Sequence, residues 1–560
     1  MNTHAGSLGR RSAGSPARLM NRPIFPMLMA LVLSVASQVV PAAEAAQAAP
    51  AAQAAPAHNP LIWADVPDIA IIRVGKTYYM SSTTMHMSPG LPIMKSTDLV
   101  NWSMASYAYE TLADNEAMRL ENGKTAYGRG SWASSLRFHN GVFYVSTFAS
   151  TSGRTHIYTT RDPERGPWKE TSFEPALHDH SLFFDDDGRV YMLWGAGRIT
   201  LTELQPDLSG IKPGGVNKVI IENLNAVFGS DLGGLSEGSQ LFKINGRYYL
   251  VNIASPGSRW ARSVIVHRAD KIDGPYEGRI VLDDRGIAQG GLIDTPEGKW
   301  YAYLFKDNGA VGRIPYLVPV TWKDGWPVLG ENGKAPMTLD IPAGVQGVSG
   351  VSGVVASDEF DRRPGDPDLP LAWQWNHNPK PRDWSLTKRP GHLSLVTSRV
   401  VSTLPEATNT LTQRTFGPSS FATTSIDVSG MKDGDLAGIA AFQKDYGFVG
   451  VKMSGGTRSL VMVSADSGNP EEIASVPLSG KTVHLKVECE FLPAPDVARF
   501  SYSLDGKSWT PIGRPSALHY TLPEHFMGYR FGLFYYSTKT AGGRVDFDYY
   551  RIGQGAKDGR

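Results

Sequence analysis

The sequence predicts an all-β protein: a five-bladed β-propeller followed by a β-sandwich of jelly-roll type. Three observations predict it. A hairpin-like unit recurs five times between residues 68 and 302. Helical periodicity is scarce, apart from a turn expected at 113–120. Beyond residue 356 the recurring unit disappears, and longer strands of period-two alternation take over.

The five units are DIAIIRVGKTYYM (68–80), WASSLRFHNGVFYV (132–145), DHSLFFDDDGRVYM (179–192), EGSQLFKINGRYYL (237–250) and QGGLIDTPEGKWYA (289–302). Gly75, Gly141, Gly188, Gly246 and Gly298 are each followed three residues later by a tyrosine: Tyr78, Tyr144, Tyr191, Tyr249 and Tyr301. Glycine beside Asn or Asp suits a tight turn, and the flanks are β-branched and aromatic, so each unit reads as a hairpin with its tyrosine in the core. The turn glycines lie 47 to 66 residues apart, which suits four-stranded blades better than a small solenoid repeat. STDLVNW (96–102), TTRDPERGPW (159–168) and HRADKIDGPY (267–276) resemble one another and read as outer-strand features of such blades.

The same register marks a site. Nine residues before the turn glycine stand Trp132, Asp179, Glu237 and Gln289. In the first unit, read as having a turn two residues shorter, the equivalent is Asp68. Equivalent inner-strand starts converge on a propeller axis, so three carboxylates are expected to face one pocket, an arrangement whose self-repulsion usually has a functional reason.

The remaining segments follow in chain order. Residues 1–45 read as a signal peptide: Arg10, Arg11, Arg18 and Arg22 are basic, Phe25 to Val40 is apolar, and Ala43-Glu44-Ala45 is a small-x-small cleavage pattern. Export to a periplasm or the exterior is expected. Residues 46–58 read as an Ala/Pro-rich linker, 59–341 as the propeller, 342–356 as a Gly/Val/Ser-rich linker and 357–560 as the sandwich. Cys489 is the single cysteine and alternates with Val483, Leu485 and Val487, so it reads as a buried strand residue. A formal net charge of +1 without a basic stripe argues against nucleic acid as a partner. No apolar run after the leader is long enough to imply stable membrane insertion.

The order of motifs resembles glycoside hydrolase family 43. NPLIWADVPDIAIIRVGKTYYM is similar to the family's opening, HDHSLFFDDDGRVYMLWG to its middle motif, and EGSQLFKINGRYYLVNIASPG to its acid motif. GAVGRIPYLVPVTWKDGWPVLG resembles the last blade; LAWQWNHNP and VDFDYYRI resemble the concanavalin-like sandwich of its xylosidase and arabinofuranosidase branch. The resemblance implies Asp68 as general base, Glu237 as general acid and Asp179 as the group that tunes and orients the acid. It implies inversion, with carboxyls about 6.5–9.5 Å apart to leave room for water. Arg313 matches an arginine that binds sugar hydroxyls; on sequence alone it is as readily a salt-bridge partner. Phe526 matches an aromatic that the sandwich sends into the pocket mouth, though a lone Phe is more often core. Trp132 and Gln289 complete the expected substrate-binding set. Gln289 and Asn308 stand where many relatives carry a histidine near a central ion, a departure that weakens the case for a structural calcium. The chemistry requires no cofactor.

Other readings stand beside these. Asp65, three residues before Asp68, lies outside the register and reads as a loop cap. His178 and His180 flank Asp179, and strand alternation would turn both away from the side it faces. Asp185 to Asp187 reads as a hairpin turn rather than a calcium loop, since the later Glu is missing. The expected activity is exo-release of terminal xylose or arabinose from xylo- or arabino-oligosaccharides, β-xylosidase first and α-L-arabinofuranosidase second. A retaining five-bladed glycosidase and a non-catalytic carbohydrate-binding propeller are the rivals.

Overall fold

The computed structural model describes residues 55–555, except 260, 345–350, 364–365, 367–368 and 523. The expected leader at 1–45, residues 46–54 of the 46–58 linker and residues 345–350 of the 342–356 linker lie outside the described residues.

Each Gly-x-x-Tyr unit forms an antiparallel hairpin, and all five turn glycines have φ between 63° and 81°, a region closed to most other residues. Two further strands extend each hairpin into a four-stranded blade. Blade one is Ala70–Val74, Thr77–Ser81, Gly90–Ser96 and Ser103–Tyr109. Blade two is Ser131–His139, Val142–Ala149, Arg154–Thr160 and Lys169–Phe173. Blade three is Ser181–Phe184, Val190–Trp194, Ile199–Leu204 and Asn217–Ile221. Blade four is Ser236–Ile244, Arg247–Ala254, Ser263–Ala269 and Glu277–Leu282. Blade five is Ala288–Asp294, Trp300–Asp307, Arg313–Lys323 and Trp326–Leu329. The five inner strands touch their neighbours in a closed ring. Four of the five repeat tyrosines are buried; Tyr144 is half-buried, its ring tilted against Phe184 with centroids 4.6 Å apart.

The ring is closed by the segment that precedes blade one. Val66 N–H donates to the Arg313 carbonyl at 2.9 Å, Leu61 N–H to Pro315, and the Asn59 side chain bonds Leu317 in both directions. Pro56–His58, assigned to the linker on sequence, pair with Thr338–Pro342, because Ala57 and Leu339 are both buried there. The turn of blade one is shorter than those of blades three and five, but equal in length to those of blades two and four. Blades one, two and four all have two-residue turns. Glycine takes the first turn position in blade one and the second in the others, which accounts for one residue of the offset. The other is a β-bulge residue that the inner strands of blades two and four carry and blade one lacks.

The sandwich stacks two antiparallel sheets, one centred on Asp435–Phe442 and Arg530–Ser537, the other on Ser419–Asp427 and Arg544–Gln554. Cys489 is buried in strand Thr482–Glu490, between the inward-facing residues of the alternation. The first sheet has an edge strand from elsewhere in the chain: Met87–Ser88, within blade one's sequence, pairs with Gln374–Asn376. A sandwich loop is in turn fastened to blade five, where Tyr529 N–H donates to the Ala310 carbonyl at 2.9 Å. Asp65 joins the same seam. Its Oδ1 accepts from Arg313 N–H at 2.7 Å and its Oδ2 from Gly528 N–H at 3.1 Å, while Arg414 Nε donates to its carbonyl. The loop cap read from sequence is therefore a tie between propeller and sandwich.

Asp65→Ala strands two buried N–H donors, each costing about 1–3 kcal/mol when unpaired. Denaturant unfolding should show a loss of roughly 2–4 kcal/mol; a change below about 0.5 kcal/mol would mean that the seam does not depend on this carboxylate.

Candidate active site

Asp68, Trp132, Asp179, Glu237 and Gln289 each lie within two residues of an inner-strand start. The backbone there is unusual. Asp68, Asp179 and Gln289 have φ of 52°, 45° and 49°, and Glu237 is followed by Gly238 at 73°. Non-glycine residues rarely enter this left-handed region, and such strain collects where side chains must be re-aimed. In blades two, four and five a β-bulge falls at the same place.

Asp68 is buried. Its Oδ1 accepts from Arg313 Nη1 at 2.8 Å, and its Oδ2 has no partner among the described residues. Burial pushes this carboxyl up, and the Arg313 charge pulls against it. Arg313 is also buried, donates to the Phe526 carbonyl at 3.3 Å and lies over the Phe526 ring at 4.4 Å. Arg313 is thus the salt-bridge partner of Asp68, and its Nε has no partner among the described residues.

Asp179 and Glu237 are linked through the main chain. The Asp179 carboxylate accepts from Gly238 N–H at 3.0 Å, and its carbonyl accepts from Ser239 N–H. A Cβ on Gly238 would meet the Gln289 side chain at 2.9 Å, so Gln289 covers this contact. Burial and the charge of Glu237 push the Asp179 carboxyl up to about 7.

His178 belongs to the site, contrary to the alternation argument. Its Nε2 lies 3.0 Å from Glu237 Oε2 and 3.9 Å from Asp179 Oδ2. Alternation holds only within an extended strand; blade three's inner strand begins at Ser181, and Asp179 at φ 45° turns the chain before it. Burial works against the charged imidazole, but the hydrogen bond to Glu237 and the nearby carboxylates win, raising His178 to about 9. No sequence signal short of adjacence to Asp179 marked it. His180 does point away, into the core, bonded to Ser146 Oγ and the Leu177 carbonyl. Ligand atoms of His178, Asp179 and Glu237 lie within 4.8 Å of one another, a spacing that a cation would tolerate. Two of the three are already committed to each other.

Trp132 lies against Phe526 at 5.2 Å and stacks on Phe148, which edges His178 at 5.0 Å. These rings form an apolar wall from the sandwich loop to the imidazole. Opposite charges are thus paired beneath it, and the buried Oδ2 of Asp68 has no hydrogen-bond partner among the described residues.

Comparison with known proteins places this geometry. Residues 57–327 match the profile of Glycosyl hydrolases family 43, and 357–553 match the beta xylosidase C-terminal concanavalin A-like domain. A putative beta-xylosidase of Xylanibacter ruminicola is 31% identical over 80% of this chain and 82% of that protein. A non-reducing end alpha-L-arabinofuranosidase of Bacteroides ovatus is 31% identical over 60% of this chain and 64% of that protein. Among solved structures, a bifunctional GH43-CE of Bacteroides eggerthii has a TM-score of 0.87 and 57% identity, with 90% of this chain spanning 65% of that one.

The His178 shift has a sign. A histidine raised in the folded state contributes stability that is whole below its unfolded value, about 6.5, and fades as pH rises through about 9. The melting-temperature advantage of wild type over His178→Gln should therefore be largest near pH 6 and shrink by pH 9.5. An advantage that stays constant across that window would show that the imidazole is neutral in the folded protein.

Proposed function

The chain belongs to glycosyl hydrolase family 43, and from that membership we propose an inverting exo-glycosidase that releases terminal β-D-xylose, or α-L-arabinofuranose, from hemicellulose fragments. β-Xylosidase is the first reading, since the sandwich matches the domain named for that activity and one 31%-identical relative carries the name. The arabinofuranosidase relative keeps the second sugar in view.

The observation that carries the proposal is the division of labour among three acids in one register. Asp68 keeps one oxygen on Arg313 and the other without a protein partner, which suits a base that takes a proton from water. Glu237, partly exposed and held by His178, is the group able to reach a leaving oxygen. Asp179 fixes the backbone beside Glu237, and burial together with the charge of Glu237 pushes its own carboxyl up to about 7. Water attacks one face of the sugar as the acid protonates the glycosidic oxygen on the other, and the anomeric configuration inverts. Trp132 and Phe526 wall the mouth, which fits removal of a terminal unit. Gln289 faces the same pocket as a polar ligand for hydroxyls. Residues 1–45 are proposed as an export signal, which would deliver the enzyme to polysaccharide outside the cytoplasm. No cofactor enters this chemistry.

The test uses matched β-D-xylopyranosides and α-L-arabinofuranosides, some with nitrophenyl and some with sugar leaving groups. Glu237→Ala should lose about 10²–10⁴-fold in kcat on sugar leaving groups and much less on nitrophenyl, which needs little protonation. Asp68→Asn should lose comparably on both. Proton NMR should show α-xylose as the first product from a β-xyloside. A β-anomer would point to retention; binding of xylan fragments without any turnover would favour a carbohydrate-binding propeller.

A further inference from the structure

Arg262 is a buried cation that the proposed reaction leaves unused. It stands just before the third strand of blade four, on the rim where the inner strands start, so it shares a face with the site. Its side chain is 7% exposed. Its Nε is ion-paired with Asp307 Oδ2 at 3.2 Å, yet among the described residues neither that Nε nor Asp307 Oδ1 has an aligned hydrogen-bond partner. Buried guanidinium N–H groups are normally paired with aligned acceptors.

Its neighbours suggest what is missing. Arg262 and Arg313 both lie over the Phe305 ring, with each guanidinium carbon 5.4 Å from the centroid. The Arg262 charge is felt at Asp68. Arg262 also lines an open cavity of about 310 Å³ with Arg259, Lys306, Arg285, Asp283 and Asp307. Arg259 is committed to Asp283 and Arg285 to Asp284. Lys306 has no ion pair among the described residues. Once Arg259, Arg262 and Arg285 are matched with Asp283, Asp307 and Asp284, the lining keeps the charge of Lys306 and the N–H groups of Arg262 that Asp307 does not reach, and its volume, at the low end for ligand pockets, suits a single sugar ring.

We propose that this cavity is a subsite for a carboxylate-bearing sugar unit, a uronic acid branch or neighbour on the hemicellulose chain, whose carboxylate pairs with Arg262 and is attracted by Lys306. The planar guanidinium fork matches a carboxylate bidentately, whereas a neutral hydroxyl satisfies one donor at most. The inference rests on the glycosidase reading for the nature of the ligand. Binding alone can test it.

The test is calorimetric titration of full-length Glu237→Gln with a xylo-oligosaccharide carrying one uronic acid branch, and with the same oligosaccharide after reduction of its carboxyl to an alcohol. A charge-assisted pair predicts at least about tenfold tighter binding of the acid form. Adding Arg262→Gln should bring that ratio close to one, and Arg262→Lys should keep part of it. Equal affinity for acid and reduced forms overturns the proposal. So does an Arg262→Gln that weakens both forms alike, which is the mark of a merely structural role. Failure of wild type to cleave any chromogenic glycoside would sink the glycosidase reading, while the acid-to-reduced ratio would still decide this one.

Discussion

Arg313 is a guanidinium buried where two domains meet, and a charge in that position must be neutralised and hydrogen-bonded or excluded. Here it is neutralised by Asp68, roofed by Phe526 and held at its backbone by Asp65. The arginine comes from blade five, the two aspartates from the segment that closes the ring, and the phenylalanine from the sandwich. Loss of Asp68 leaves that charge unpaired, loss of Phe526 uncovers it, and loss of Asp65 frees the backbone that places it. The position of the Asp68 carboxylate, the closure of the propeller and the docking of the sandwich loop are thus one electrostatic problem with one solution.

A second regularity runs around the axis. Propeller strands are built to hold side chains perpendicular to the sheet, which would send strand-start residues into neighbouring blades. Left-handed backbone at Asp68, Asp179 and Gln289, and bulges at Trp132, Glu237 and Gln289, break the pleat where it would misdirect them. The hairpins behind these positions are regular and well paired, so a rigid frame supports a strained rim.

The hairpins and the convergence of the five register positions were legible from spacing alone, because glycine at positive φ and period-two alternation are local signals. The sandwich was legible for the same reason. His178 was not, because its direction depends on where the strand of blade three begins, and one left-handed residue moves that boundary. Asp65 was misread because its partners, Arg313 and Gly528, are 248 and 463 residues away in sequence. Arg262 left no trace in any motif, since its interest lies in a buried Nε whose ion pair with Asp307 is not an aligned hydrogen bond. Local chemistry can be read along a chain; satisfaction of a buried polar group is a property of the whole packing.

The two-residue strand Met87–Ser88 has a consequence for how such chains can be recombined. A sheet edge left open is a template for unwanted pairing, and here the open edge at Gln374–Asn376 is covered by a piece of blade one. A sandwich transplanted onto another propeller, cut at the linker, would arrive without that cover. It would be prone to self-association through the bared edge unless the new host supplied a matching loop. The heritable module is therefore the propeller–sandwich pair together with that loop, and shuffling between relatives should succeed only where the loop travels too.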